Sequence, residues 1–395
     1  MKLIGTSCSC SVFFSKFGSI SQDIEDILND LDTKKSPGPD LLLPKLVKHV
    51  ANLIKEPLKE IVNEMVSENK FPNTAKVNHV TPVFKADKKD RQDKANYRPI
   101  CAPSTFSKIL ERYIQSKINE YVESILSTFI GAYRKKYSTN HVLIRLIENW
   151  KLQLDNKKFV GAVIMDLSKA FDCVPHDLLI AKMHAYGFDF DTLVLFFSYL
   201  KNRKQGVKVN NNINGFMTLI SGVPQGSILG PILFNLFIND LVFFIKKSDL
   251  SNYADDNTIS AWANSLKDLI ATLESESEVA VEWFEDNGML ANPDKFQAII
   301  MYKHGMNPIN QHQLKFNQYE ITSKNSVVSL GLEIDDKLRF GNHTNSLIKK
   351  AAGQLNYLIL KEYCLTHDSK KFLIESFIMQ ISTTVHWSGY SVIAN

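Results

Sequence analysis

Phe159 to Met165 (FVGAVIM) is an unbroken apolar run of strand length, and it ends abruptly in Asp166. A run of this length predicts a buried strand. A carboxylate at the end of such a strand is costly unless it is paired or holds a cation. Downstream, Asn252 to Ser260 reads as two strand-like flanks around Asp255, Asp256 and Asn257, the residues of a tight turn. Three carboxylates meeting at one sheet edge would suit two Mg²⁺ ions, which favour carboxylates and substrate phosphates as ligands. Two such ions, about 4 Å apart, serve in-line phosphoryl displacement. Taken alone, the plainer reading wins: Asp-Asp-Asn is a turn, and Asp166 caps a helix.

The rest of the chain sets a context for these acids. Leu46 to Met65 has helical spacing with an interruption expected at Pro57, and Phe106 to Ile125 and Thr139 to Leu154 read as two more helices. Between the first two lies a basic loop with Lys85, Lys88, Lys89, Arg91, Lys94 and Arg98. Asp177 to Tyr186, Leu266 to Phe284 and Leu347 to Leu360 also read as helix. Gln205 to Val209 and Phe216 to Ile220 predict a hairpin, and Ala298 to Tyr302 and Val327 to Ile334 two short strands. Ser227 can cap a helix whose first turn tolerates Pro231. Such irregular mixing favours an α+β fold over a doubly wound parallel sheet.

With 44% apolar and 22% charged residues, the chain is neither disordered nor fibrous. Its net charge of +4 permits a polyanionic partner without demanding one. Five cysteines without a CxxC pair make neither a disulfide framework nor a zinc site. The apolar stretch Ile228 to Ile245 carries Pro231, Asn235, Asn239 and Asp240, so a buried helix is expected there and no membrane span. The expected location is intracellular, in nucleus or cytoplasm.

Motif order then decides between the readings of the acids. Met165-Asp166-Leu167-Ser168-Lys169-Ala170-Phe171-Asp172 precedes Gly222-Val223-Pro224-Gln225-Gly226-Ser227, which precedes Tyr253-Ala254-Asp255-Asp256. KSPGPD at Lys35 to Asp40, NYRPI at Asn96 to Ile100, SKILER at Ser107 to Arg112 and AYRKKYSTNH at Ala132 to His141 stand upstream of the last two. GSILGPILFNLFINDL at Gly226 to Leu241, NPDKFQ at Asn292 to Gln297 and LGLEID at Leu330 to Asp335 complete the series. Over about residues 20 to 375, this ordered set closely resembles the reverse transcriptase domain of non-LTR (LINE-type) retrotransposons.

The resemblance implies a right-hand polymerase: fingers over residues 20–155, a palm with an antiparallel sheet backed by helices over 156–335, and a partial helical thumb over 336–395. Residues 1–19 match no part of it. It makes Asp166, Asp255 and Asp256 the catalytic acids and the ligands of two Mg²⁺ ions, with Mn²⁺ as the alternative. Lys85 and Arg98 would grip the incoming triphosphate, Arg by bidentate contact and Lys as a point charge. Phe171 would lie under the sugar and reject a 2′-OH, Gln225 and Gly226 would border nucleotide and template, and Lys295 would protonate the leaving pyrophosphate. Alone, Phe171 would be core, Pro-Gln-Gly a turn, and Lys295 surface decoration. Where the family usually carries glycine after Gly-Pro-Asp, this chain has Leu41 to Leu43, and Ile381 to Asn395 departs from the thumb pattern.

The function implied is RNA-directed DNA polymerisation: dNTPs added to a primer 3′-OH on an RNA or DNA template, by a piece of a longer retrotransposon polyprotein. Its rival is a decayed or repurposed remnant that only binds nucleic acid.

Overall fold

The computed structural model describes residues 20–35, 37–85, 90–210, 212–303 and 311–379. The unmatched N-terminal segment, Lys88, Lys89 and Ile381 to Asn395 lie outside them. In chain order the elements begin with α1 (Ile20–Asn29), α2 (Pro44–His49), α3 (Ala51–Ser67), β1 (Val77–Phe84), β2 (Tyr97–Pro103), α4 (Thr105–Ile125) and α5 (Thr139–Asp155). There follow β3 (Phe159–Ser168), α6 (Ala170–Cys173), α7 (His176–Ala185), α8 (Phe190–Leu200), β4 (Lys204–Val209), β5 (Asn212–Ile213), β6 (Met217–Thr218) and α9 (Gly230–Ile238). Then come β7 (Asp249–Tyr253), β8 (Asp256–Ala263), α10 (Leu266–Asp286), β9 (Leu290–Ala291) and β10 (Gln297–Met301). Last are β11 (Gln313–Phe316), β12 (Tyr319–Thr322), β13 (Ser326–Ser329), β14 (Leu332–Asp335), α11 (Gly341–Leu360) and α12 (His367–Leu373).

The chain divides into two compact units, with boundaries inside β3 and α10. Unit 1 holds residues 1–137, 167–244 and 280–291, and unit 2 holds 138–166, 245–279 and 292–395. In unit 1, β1 and β2 pair antiparallel and β4 joins β1 in parallel, giving the order β2-β1-β4-β5 with β6 also on β4. Helices α1, α3 and α4 bury Ile24, Leu28, Val62, Met65, Ile109 and Leu110. Helix α9 is buried from Ile232 through Ile238, as the expected non-membrane apolar helix. Among the described residues no helix is long and apolar enough to cross a membrane.

Unit 2 is built on an antiparallel sheet ordered β10-β3-β8-β7. Alternation puts Val160, Ala162 and Ile164 of β3 on one face, where Trp150, Leu146 and Val142 of α5 and Ile299 and Met301 of β10 join them in a core. On the other face α10 comes close. A Cβ added to Gly161 would stand 2.6 Å from Leu273 Cδ1, so a larger residue here would have to displace the leucine side chains of this helix. The mixed architecture of sheets backed by helices is the α+β class expected.

Several local expectations change. The basic loop proves to be the connection of a β1–β2 hairpin, in which Pro82 faces Pro99. Helix α3 runs on through Pro57 without a break. The second arm of the expected hairpin, Phe216 to Ile220, shrinks to the two-residue strand β6, and the short strand β5 pairs with β4 ahead of it. Val327 to Ile334 is a hairpin, turned at Leu330 and Gly331, which both have positive φ. α1 and α8 are additional helices.

Candidate active site

The end of the unit 2 sheet carries the acids. Asp166 lies directly opposite Asp256 in the β3–β8 register, one step beyond Met165 opposite Asn257. Hairpin β7–β8 closes with Tyr253 opposite Asp256, so Ala254 and Asp255 alone make the turn, with Ala254 at φ 57°. Two buried asparagines brace this tip. Asn252 Nδ2 donates to the Ala254 carbonyl at 2.9 Å and to Asn257 Oδ1 at 3.0 Å, and Asn257 Nδ2 donates to the Asp255 carbonyl at 3.2 Å. Asp255 is thereby held exposed at the apex. Sequence reading took Asn257 for a turn residue and passed over Asn252. Its position, two before Ala254 in a strand flank, is the signal that could have found it.

Charge at this sheet end is out of balance. The Asp256 carboxyl is pushed up to about 6 by burial and by the negative charges of Asp255 and Asp166, with Lys295 pulling the other way. Lys295, in the turn after Asn292, donates Nζ to Asp166 Oδ2, while the Asn292 N–H bonds the Asp166 carbonyl at 3.0 Å. Among the described residues no three His, Cys, Asp or Glu side chains converge closely enough to hold a metal ion as they stand. Asp255 is exposed at the tip, and Asp166 is engaged by an ammonium. The donor set nevertheless fits a divalent cation, because the charges of Asp255 and Asp166 act on the Asp256 carboxyl and Asp166 already draws in a positive group.

Unit 1 holds the other expected site residues. Lys85 directly follows β1, its N–H bonded to the Asn96 carbonyl at 2.9 Å, and Arg98 of β2 lies opposite Val83 of β1. Both therefore sit at the same end of the β1–β2 hairpin. Phe171, in α6, stacks on Phe234 with centroids 4.6 Å apart and meets Tyr133 edge-on at 5.9 Å. Its carbonyl accepts the Val223 N–H at 2.8 Å, which ties α6 to the loop before Gln225. The Gln225 carbonyl accepts the Cys101 N–H at 2.9 Å. Gly226 has φ 115°, and a Cβ there would stand 2.4 Å from the Cys101 carbonyl oxygen, so the close approach requires glycine.

An antiparallel sheet with an aspartate near the end of a buried central strand, opposite an Asp-Asp hairpin and within the ordered motifs, defines a class: a polymerase fold. The model of the family "Reverse transcriptase (RNA-dependent DNA polymerase)" matches residues 86–345, and the chain belongs to that family. It is 26% identical over 362 residues to a probable RNA-directed DNA polymerase from transposon BS of Drosophila melanogaster, covering 89% of this chain and 40% of that protein. It is 24% identical over 371 residues to the RNA-directed DNA polymerase from mobile element jockey of the same species, covering 90% and 40%. A Pol polyprotein from type-1 retrotransposable element R1 of Bradysia coprophila is 24% identical, with 85% and 33% covered. These relatives are of the non-LTR kind that the motifs resemble. The chain spans about two fifths of the length of the first two. A solved apo telomerase from Candida tropicalis, truncated from the C-terminal domain, aligns at TM-score 0.45 and 14% identity over 74% of this chain and 67% of that one.

Proposed function

We propose that this chain is the RNA-directed DNA polymerase portion of a retrotransposon protein, adding dNTPs to a primer 3′-OH on an RNA or DNA template. The observation that carries the reading is the register of Asp166 against Asp256 at one sheet end, with Asp255 braced at the adjoining tip. Residues 20–155 act as fingers, 156–335 as palm and 336–395 as part of a thumb.

Asp166, Asp255 and Asp256 would hold two Mg²⁺ ions, which supply charge neutralisation for the attacking and leaving oxygens. Lys85 and Arg98 bind the triphosphate. Phe171, fixed by its stack on Phe234, packs under the sugar and excludes a 2′-OH by size. Gly226 lets backbone approach the nucleotide. Lys295, released from Asp166, gives a proton to the departing pyrophosphate. Positioning and electrostatics do most of the work in such transfers.

Purified chain with primed poly(A), dTTP and Mg²⁺ tests this. Wild type should incorporate dTMP, and Asp255→Asn should keep its circular dichroism while losing roughly 10³-fold or more in rate, the scale of lost transition-state charge stabilisation. Extension at near wild-type rate in the mutant would sink the metal assignment. An inert wild type that still binds the primed template would favour the non-catalytic remnant.

A further inference from the structure

Glu111 is a charged side chain with 0% exposure. Among the described residues no Lys, Arg or His forms an ion pair with it. A buried carboxylate in that position must be satisfied chiefly by hydrogen bonds. It is: Ser107 Oγ donates to Oε1 at 2.9 Å, while the backbone N–H groups of Ile228 and Leu229 donate to Oε2 at 2.7 and 3.3 Å. Those amides belong to the approach to α9, whose free N–H groups and dipole favour a negative charge at this end.

The segment so held begins at the Pro-Gln-Gly loop. Ser227 Oγ donates to the Pro224 carbonyl at 2.9 Å and accepts the Gly230 N–H at 2.9 Å, closing the turn on itself. β2 holds the front of the turn through the bond from the Cys101 N–H to the Gln225 carbonyl. Glu111 holds its back from α4, 117 residues away in sequence. Gly226 and Ser227 lie between these two clamps. α4 itself is tied down at its start, where Ser104 Oγ accepts the Ser107 N–H at 2.9 Å and Asp40 Oδ2 accepts the Phe106 N–H at 3.2 Å.

We infer that Glu111 is a positioning residue: its carboxylate, bonded to Ile228 and Leu229, sets where the Gln225–Gly226 backbone stands and so governs dNTP binding. This rests on the reading of Gln225 and Gly226 as nucleotide-facing. Reach, more than charge, performs the task. Glu111→Asp keeps the charge but withdraws it from the two amides. Glu111→Gln keeps an oxygen for them and offers its amide to Ser107 Oγ, which can accept.

Two measurements test it. In primer extension, Glu111→Asp should raise KM for dTTP tenfold or more with kcat within about threefold, whereas Glu111→Gln should stay within about threefold of wild type in both. A fall in kcat with KM unmoved, the mark of a reduced folded fraction, would overturn the inference. Independently of activity, amide hydrogen exchange at Ile228 and Leu229 should quicken severalfold in Glu111→Gln, because a neutral acceptor is weaker, with α9 itself unchanged. Unaltered protection at both amides would overturn it even if Glu111→Asp fails to fold. A wild type that extends no primer yet shows the exchange change would count against the polymerase reading and leave the clamp standing.

Discussion

Lys76 → Met should make this protein more stable at neutral pH, and the gain should vanish in alkali. Lys76 is 4% exposed just before β1, within reach of the charge of Arg203, which is itself 1% exposed. Among the described residues no carboxylate forms an ion pair with either. Burial, then the charges of Arg203 and Lys70, bring the Lys76 ammonium down from 10.5 to about 8. At 1.36 kcal/mol per pH unit, that fall corresponds to a ceiling of about 3 kcal/mol against the charged form at pH 7. Relaxation around buried charges reduces such penalties, so a gain of about 1–3 kcal/mol is expected from methionine, which fills similar volume without charge. The sign with pH follows from proton counts. Between pH 8 and 10.5 the unfolded chain holds a proton that the folded chain has released, so wild-type stability rises through this window. Below it the penalty is full, and above it none is left. Urea unfolding of both proteins at pH 7 and pH 10.5 measures the difference. A destabilised Lys76→Met, or a gain that is the same at both pH values, would refute the argument and point to an unseen partner for the ammonium.

Leu41 stands where the family usually has glycine, at φ 55° with 75% exposure. Leu41→Gly should therefore stabilise by about 0.5–1 kcal/mol, the left-handed strain relieved less glycine's greater unfolded freedom, and a lower denaturation midpoint would contradict this. Gly226→Ala should cost about 1–3 kcal/mol locally, since backbone at 2.4 Å cannot yield, and should raise KM for dNTPs; an unchanged melting temperature together with an unchanged KM would refute it. Phe171→Ala should admit ribonucleotides, as discrimination by repulsion depends on size. Equal dNTP/rNTP selectivity in mutant and wild type would return Phe171 to the role of core aromatic.

What local sequence could determine here, it did. The apolar run into Asp166 is a strand because seven residues in succession can be buried on both faces, and β3 indeed spans Phe159–Ser168. The apolar spacing of Phe106 to Ile125 and Thr139 to Leu154 lies within α4 and α5 as drawn, each started by a serine whose Oγ accepts an N–H from its first turn. The turn at Asp255 was legible in the same way, because Asp and Asn are favoured at such tips. Elsewhere the pattern was silent. Pro82, Pro99 and Pro103 and the polar Asn78 and His79 hide β1 and β2, whose reality comes from pairing with each other and with β4. Helix α8 is so uniformly apolar, from Leu193 to Phe197, that no periodicity marks it.

The site divides along the same line. Motif order marked Asp166, Asp255, Asp256 and Lys295 as chemistry, and an apolar run and a turn signal placed the acids along the chain. Tertiary structure alone decided that Asp166 faces Asp256 and that an ammonium engages Asp166. It alone decided that Glu111, one of three glutamates on an amphipathic helix, turns inward to hold two amides of another segment. Hydrophobic period and turn chemistry are short-range, carried by neighbours in the chain. Register between distant strands, and the partner a buried charge finds, depend on which segments pack together, and no stretch of sequence read alone contains that.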